Sequence, residues 1–146
     1  MLHANLLSAE EVEELARTHA EYEDGGDIDA LMGTLVEDPV YEYHPLRVQL
    51  CGASAVRRYY ERVRREYTPL VKDATLVELI AGPSAAVIEY AIRLDLDGEL
   101  VHDRLVAVMP VQGHRFGGER IYSSERVLRL LLGEMQDEVE PIAESD

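Results

Sequence analysis

Four consecutive residues, Tyr41-Glu42-Tyr43-His44, place two phenols, a carboxylate and an imidazole side by side. Flanked by Pro39 and Pro45, they read as a strand over 39–44. Alternate residues of a strand share a face. Tyr41 and Tyr43 therefore point one way, and Val40, Glu42 and His44 the other. Phenols and imidazoles can donate a hydrogen bond to a developing oxyanion or move a proton, and histidine titrates near neutral pH. Tyr41 and His44 are thus candidates for chemistry, and Tyr43 for holding a substrate.

Later strands add carboxylates. Glu89 interrupts the apolar run Ala85-Ala86-Val87-Ile88 and shares a face with Val87, Ala91 and Arg93. A carboxylate on a mostly apolar face is either paired or has a raised pKa, the condition a general acid or base needs. The alternatives are a salt bridge with Arg93, Arg104 or Arg120, or simply an outward face at a dimer contact. Glu119 is a second candidate acid–base residue. Tyr60, Tyr90, Arg93, His102 and Tyr122 join Tyr43 as candidate substrate-binding residues. His19 reads as a structural member of an apolar stripe, and His3 as equally uninvolved. No histidine spacing suits a metal, and Cys51 is the only cysteine, so neither a metal nor another cofactor is expected.

The elements that position these groups are legible in turn. Ser8 and Glu11 form a capping box. Val12, Leu15, Ala16, His19 and Ala20 follow at helical spacing until Gly25-Gly26. Asp27 caps a second helix with Ile28, Leu31, Met32, Leu35 and Val36 on its apolar side, stopped by Asp38-Pro39. A loop over 45–51 precedes a third helix over 52–67. Four strands follow, over 72–81, 85–96, 99–111 and 115–123, with Asp97-Gly98 as a hairpin turn. Ser124 caps a last helix. Helices followed by antiparallel strands indicate the α+β class. If the sheet curls, sheet and helices enclose a cone with a site for a small molecule.

At 146 residues, 47% apolar and 29% charged, the chain suits a single soluble domain over 1–133 with an acidic, loosely docked tail over 134–146. No apolar run reaches the ~18 residues of a membrane span, and no secretory signal is evident. One cysteine rules out an intrachain disulfide and fits a cytoplasmic location. The net charge of −15 repels nucleic acid and anionic membranes. Arg57, Arg58, Arg62, Arg64 and Arg65 cluster in the third helix, as a solvated face interleaved with Glu61 and Glu66 or as a patch for an anion or acidic partner.

Taken in order, four motifs resemble the nuclear transport factor 2-like (NTF2-like) superfamily, and within it the SnoaL-like proteins. They are Gly26-Asp27-Ile28-Asp29-Ala30-Leu31, Asp38-Pro39-Val40-Tyr41-Glu42, Gly52-x-x-Ala55-Val56, and Gly118 to Ser124 leading into Leu128-x-x-Leu131-Leu132-Gly133. The resemblance covers nearly the whole chain. It implies a curved, mostly antiparallel sheet wrapped by three N-terminal helices into a conical barrel, and a homodimer packed through the outer sheet face. Members include polyketide cyclases, ketosteroid isomerases, dehydratases, epoxide hydrolases and proteins that only bind. The epoxide hydrolases imply a role for Tyr41 in orienting water, but Tyr43 stands where they have asparagine. Arg93-Leu94-Asp95 has their Arg-x-Asp spacing, while Ile121 stands where another carboxylate would be. The SnoaL-like cyclases imply a late aspartate where this chain has Ser124, which leaves Glu119 as the better substitute and Glu125 as the other flanking acid. The resemblance implies a cofactor-free cyclase, isomerase or dehydratase acting by proton transfer on a hydrophobic carbonyl compound, in secondary metabolism. The alternatives are a non-catalytic binding or interaction protein, and an epoxide hydrolase-like enzyme.

Overall fold

The computed structural model describes residues 6–143; His3 and the last three residues of the tail lie outside that range. The first helix, α1 (Ala9–Gly25), starts where the sequence places it. The Ser8 hydroxyl accepts from the Glu11 amide at 3.1 Å, and the Glu11 carboxylate accepts from the Ser8 amide at 3.0 Å. Gly26 closes it in the left-handed region, with φ of 72°. Val12, Ala16 and His19 are buried along one side.

The second helix, α2 (Ile28–Met32), is shorter than its apolar spacing predicts. Leu35 and Val36 instead open β1 (Leu35–His44), where Leu35 pairs with Phe116. The Thr34 hydroxyl donates to the Leu31 carbonyl at 2.7 Å and so closes the helix early. Pro39 sits inside β1, where the pairing register shifts between Leu35 and Val40; an irregularity of this kind is where a sheet accepts a proline.

The expected loop after Pro45 contains a strand, β2 (Val48–Cys51), which pairs antiparallel with β1. The turn is tight: the Arg47 amide donates to the Tyr43 carbonyl at 2.8 Å. Then follow α3 (Ala53–Arg62), extended by a π-helical turn over Val63–Tyr67, and the long strands β3 (Val71–Gly82), β4 (Ala85–Leu96), β5 (Glu99–Gln112) and β6 (Arg115–Ser123). Helix α4 (Glu125–Leu132) is capped by the Ser124 hydroxyl, which accepts from the Val127 amide at 3.2 Å. The tail is docked more firmly than its composition suggests. Met135 is buried, Glu134 pairs with Arg62 and Arg65, and β7 (Glu140–Pro141) pairs with β2.

The seven strands form one sheet in the order β3-β4-β5-β6-β1-β2-β7. Every pairing is antiparallel except β1 with β6. The inner face of β4 to β6, with Ile88, Ile92, Met109 and Ile121, packs into the same core as Val12, Ala16, Leu31, Val56 and Leu131 from the helices. Among the described residues no helix is long and apolar enough to cross a membrane.

One glycine fixes the join between β1 and β6. Gly118 has φ of 133°, and a Cβ there would lie 1.9 Å from the Val40 carbonyl oxygen. The backbones can approach this closely only without a side chain. Gly118→Ala is expected to cost at least about 2 kcal/mol, from a forbidden contact added to a strained backbone. Urea denaturation reads the cost, and an unchanged midpoint would mean that β1 yields freely.

Candidate functional site

The parallel pairing of β1 with β6 sets Tyr41 opposite Glu119 and Tyr43 opposite Ile121. Tyr41 and Tyr43 both point inward, as the strand alternation predicts, and both are fully buried. Helix α1 lays His19 across the same point, and α3 brings Tyr60. A single carboxylate oxygen, Glu119 Oε2, accepts from the Tyr41 hydroxyl at 3.0 Å, the Tyr60 hydroxyl at 3.0 Å and His19 Nε2 at 2.9 Å. The two tyrosine hydroxyls also touch each other.

Proton positions follow from the outer partner. The Thr34 hydroxyl spends its proton on the Leu31 carbonyl, so toward His19 Nδ1, at 2.7 Å, it can only accept. Nδ1 therefore carries a proton. Burial presses the His19 imidazole down, but the hydrogen bond and charge of Glu119 outweigh it and hold it above the usual range. Burial likewise presses Glu119 up, and His19, Tyr41 and Tyr60 together hold it below the carboxylate range. The two form a buried imidazolium–carboxylate pair. Glu119 Oε1 makes no hydrogen bond among the described residues and is not sealed off, so it is open to the cavity that Glu119 lines.

That cavity holds about 220 Å³ between the helices and the sheet. Its walls are largely apolar, with Leu31, Ile88, Ile92, Ala107, Met109 and Ile121. Its polar groups come from several tyrosines, from Glu23, Asp24, Arg64 and Thr68 and, at its base, from His19 and Glu119. Glu23 is exposed to the solvent of the cavity, and its carboxylate has no hydrogen-bond or ion partner among the described residues. Burial first, and then the charge of Glu119, push it up to about 7, against the opposing His19 charge. Tyr67 and Tyr90 line the same space, and their hydroxyls make no hydrogen bond among the described residues. Burial, followed by the nearby Glu23 charge, pushes both up to about 12, so both remain proton donors at any ordinary pH.

Solved structures share this architecture. Bal32a, from a soil-derived mobile gene cassette, superposes with a TM-score of 0.68 at 17% identity, over 80% of this chain and 92% of that one. An epoxide hydrolase of the LEH-like type from M. tuberculosis gives 0.64 at 18% identity, over 88% and 98%. A protein with a ketosteroid isomerase-like fold from Catenulispora acidiphila, solved in complex with trimethylamine, gives 0.60 at 15% identity, over 77% and 86%. Others of the same architecture are described as NTF2-like. The fold is NTF2-like. No family model matches the sequence and no curated protein matches it, so the likeness is one of fold.

Within this NTF2-like cone the candidate residues separate. Tyr60, Tyr90 and Glu119 line the cavity, and Tyr41 lies directly behind them against Glu119. Tyr43 is one layer further back, edge-on to Tyr59 with ring centroids 5.5 Å apart. Glu89 lies outside: it shares the outer face of β4 with Val87 and Ala91, and Arg104 donates to it at 2.7 Å. Arg93 and His102 are exposed on that same face, where Arg93 Nε donates to Asp73 at 2.6 Å. Asp95 caps the adjoining turn by accepting from the Gly98 amide at 2.7 Å. The Arg-x-Asp spacing is therefore not brought into the cavity. His44 and Tyr122 stack with ring centroids 4.9 Å apart on the opposite side of β1 and β6, and His44 Nε2 lies 2.9 Å from Glu42.

Two residues at the centre were not singled out from the sequence. His19 is integral to the buried network, and Glu23 is the cavity's free carboxylate. Both were signalled by spacing: Val12, Ala16, His19 and Glu23 occupy one side of α1. An acid extending an apolar stripe marks the place where a core opens into a cavity. Among the described residues, no group of three histidine, cysteine or acidic side chains could hold a metal ion.

Proposed function

We propose that this protein is an acid–base enzyme that moves a proton on a compact, largely apolar carbonyl compound, in the manner of an isomerase. One observation carries the reading: Glu23 faces the cavity without a partner and is tuned to about 7. A base with its pKa near the working pH transfers protons most effectively. Glu23 takes a proton from the carbon beside the carbonyl, and the electron pair moves onto the oxygen. The Tyr67 or Tyr90 hydroxyl donates a hydrogen bond to that oxygen. Glu23 then returns the proton at the conjugated position, which completes an isomerisation. Glu119 sets the scene from beneath: its charge helps to raise Glu23, and its network fixes the ring of Tyr60.

A panel of compact β,γ-unsaturated ketones in D₂O tests this by NMR. Deuterium is expected at the γ-carbon of the conjugated product, and at the carbon beside the carbonyl of recovered ketone where the dienolate is reprotonated there, at a rate that rises through about pH 7 as Glu23 ionises. Glu89→Gln should leave it unchanged, because Glu89 faces Arg104 outside. Compounds that bind without exchange would favour the second reading, a non-catalytic ligand-binding protein. The three donors already seated on Glu119 Oε2 speak for that alternative.

Ile80, Leu100 and Tyr122 are exposed on the sheet's outer side, and we expect a homodimer packed through that face. Light scattering at the mass of a monomer would remove this expectation.

A further inference from the structure

Glu23 lines the cavity and is open to the solvent within it, and no hydrogen-bond or ion partner meets it among the described residues. Its charge is left for a ligand to meet. Charged and titratable groups line the cavity around it on every side. On its own helix are His19, Tyr22 and Asp24; from α3 and the turn beyond it come Tyr59, Tyr60, Arg64 and Tyr67; from the sheet come Tyr90 and Glu119. His19 is committed to Glu119. Arg64 rests at the mouth with its guanidinium in the space left by the missing side chain of Gly26, and it makes no ion pair with Glu23. With His19 and Glu119 cancelling, the cavity carries Glu23 and Asp24 against Arg64 alone. It is short of one positive charge.

The walls suit a particular kind of cation. Tyr59, Tyr60, Tyr67 and Tyr90 present aromatic rings around the space that Glu23 faces, and Tyr59 and Tyr60 lie 5.2 Å apart at an angle of 57°. Aromatic faces attract alkylated ammonium groups, which are too bulky and apolar for a surface ion pair. The chain's net charge of −15 draws cations toward the mouth.

We infer that the substrate carries a positively charged alkylamine, and that the tyrosine cage seats this amine against Glu23. The inference rests on the assignment of this cavity as the substrate site and names the class of molecule it takes. The amine supplies the missing counter-charge. It also lowers the proton affinity of Glu23, so a larger fraction of the base is ionised once the substrate is bound.

Choline and 3,3-dimethylbutan-1-ol have nearly the same shape and differ by the positive charge. Calorimetric titration of each into the full chain at pH 8 is expected to show choline binding at least tenfold tighter. That advantage should vanish in Glu23→Gln and shrink below pH 7 as Glu23 takes up a proton. Near pH 7, choline binding should release protons, read as a dependence of the heat on the buffer. Glu23→Gln is checked by thermal melting, and Tyr90→Leu supplies a second variant that weakens choline more than the neutral alcohol. Equal affinities, tighter binding of the alcohol, or no binding of choline would overturn the inference. Those outcomes leave deuterium exchange of neutral ketones untouched, so the amine preference and the proton-transfer reading fail separately.

Discussion

Glu23→Gln is expected to lower the rate of proton transfer by about a hundredfold or more, the loss typical of removing a general base, while the protein stays folded. The amide fills the same volume and cannot accept the proton. A parallel measurement on stability separates this from mere damage. The pKa of Glu23 is raised from 4.5 to about 7 in the folded chain. Its favourable contribution to stability is therefore complete below 4.5 and lost as the pH rises through 7, where the folded state must carry an uncompensated charge. The parent should lose stability across that window. Glu23→Gln should lose less, and at pH 8 it should be at least as stable as the parent. Urea midpoints at pH 5 and pH 8 read the difference. If the variant keeps its exchange activity, or if both proteins show one pH profile, Glu23 is not the base.

The reason that Glu23 escapes a sequence reading is physical. Helical spacing shows that His19 and Glu23 lie on the side of α1 that turns inward, but not whether that side meets packed side chains or open space. That depends on how far the sheet curls away at β4 and β5. Glu89 illustrates the same limit for strands. Alternation correctly groups it with Val87, Ala91 and Arg93, but both faces of β4 are apolar enough to be buried. Ala86, Ile88, Ile92 and Leu94 prove to be the inner set. A strand with two apolar faces does not declare which is inside.

Strong local signals are legible in the sequence. The capping box at Ser8, the Asp97-Gly98 turn and the Ser124 cap each fix the end of an element through backbone hydrogen bonds made within a few residues. Leu35 and Val36 are ambiguous because their spacing continues the stripe of α2 equally well as a helix or a strand. Only pairing with Phe116, some eighty residues away, decides it. The four-residue β2 and the docking of the tail likewise depend on partners distant in sequence. Tyr41, Tyr60 and Glu119 were each named from the sequence. Their convergence on one oxygen needs the parallel β1–β6 contact, which no hairpin signal announces.

That convergence gives the largest expected effect on stability. Glu119→Ala leaves a buried imidazole and two buried phenols without their common acceptor, and should cost about 3–5 kcal/mol. Because Glu119 is held below 4.5, its contribution is present above that value and is lost as the pH falls through its folded-state pKa. The variant should therefore lose less stability than the parent on acidification. His19→Ala should destabilise for the same reason, since it leaves the carboxylate unpaired. The double variant should cost less than the sum of the two, because neither partner is then left buried alone. Simple additivity would mean that the hydrogen bond at 2.9 Å does not couple the two residues. Glu119→Gln keeps the shape and removes the charge, so it tests the link to chemistry. The Glu119 charge raises Glu23, and its loss should move the acid limb of the exchange-rate profile to lower pH. A profile left in place, in a variant that remains folded, would show that Glu119 supports the cavity without tuning the base within it.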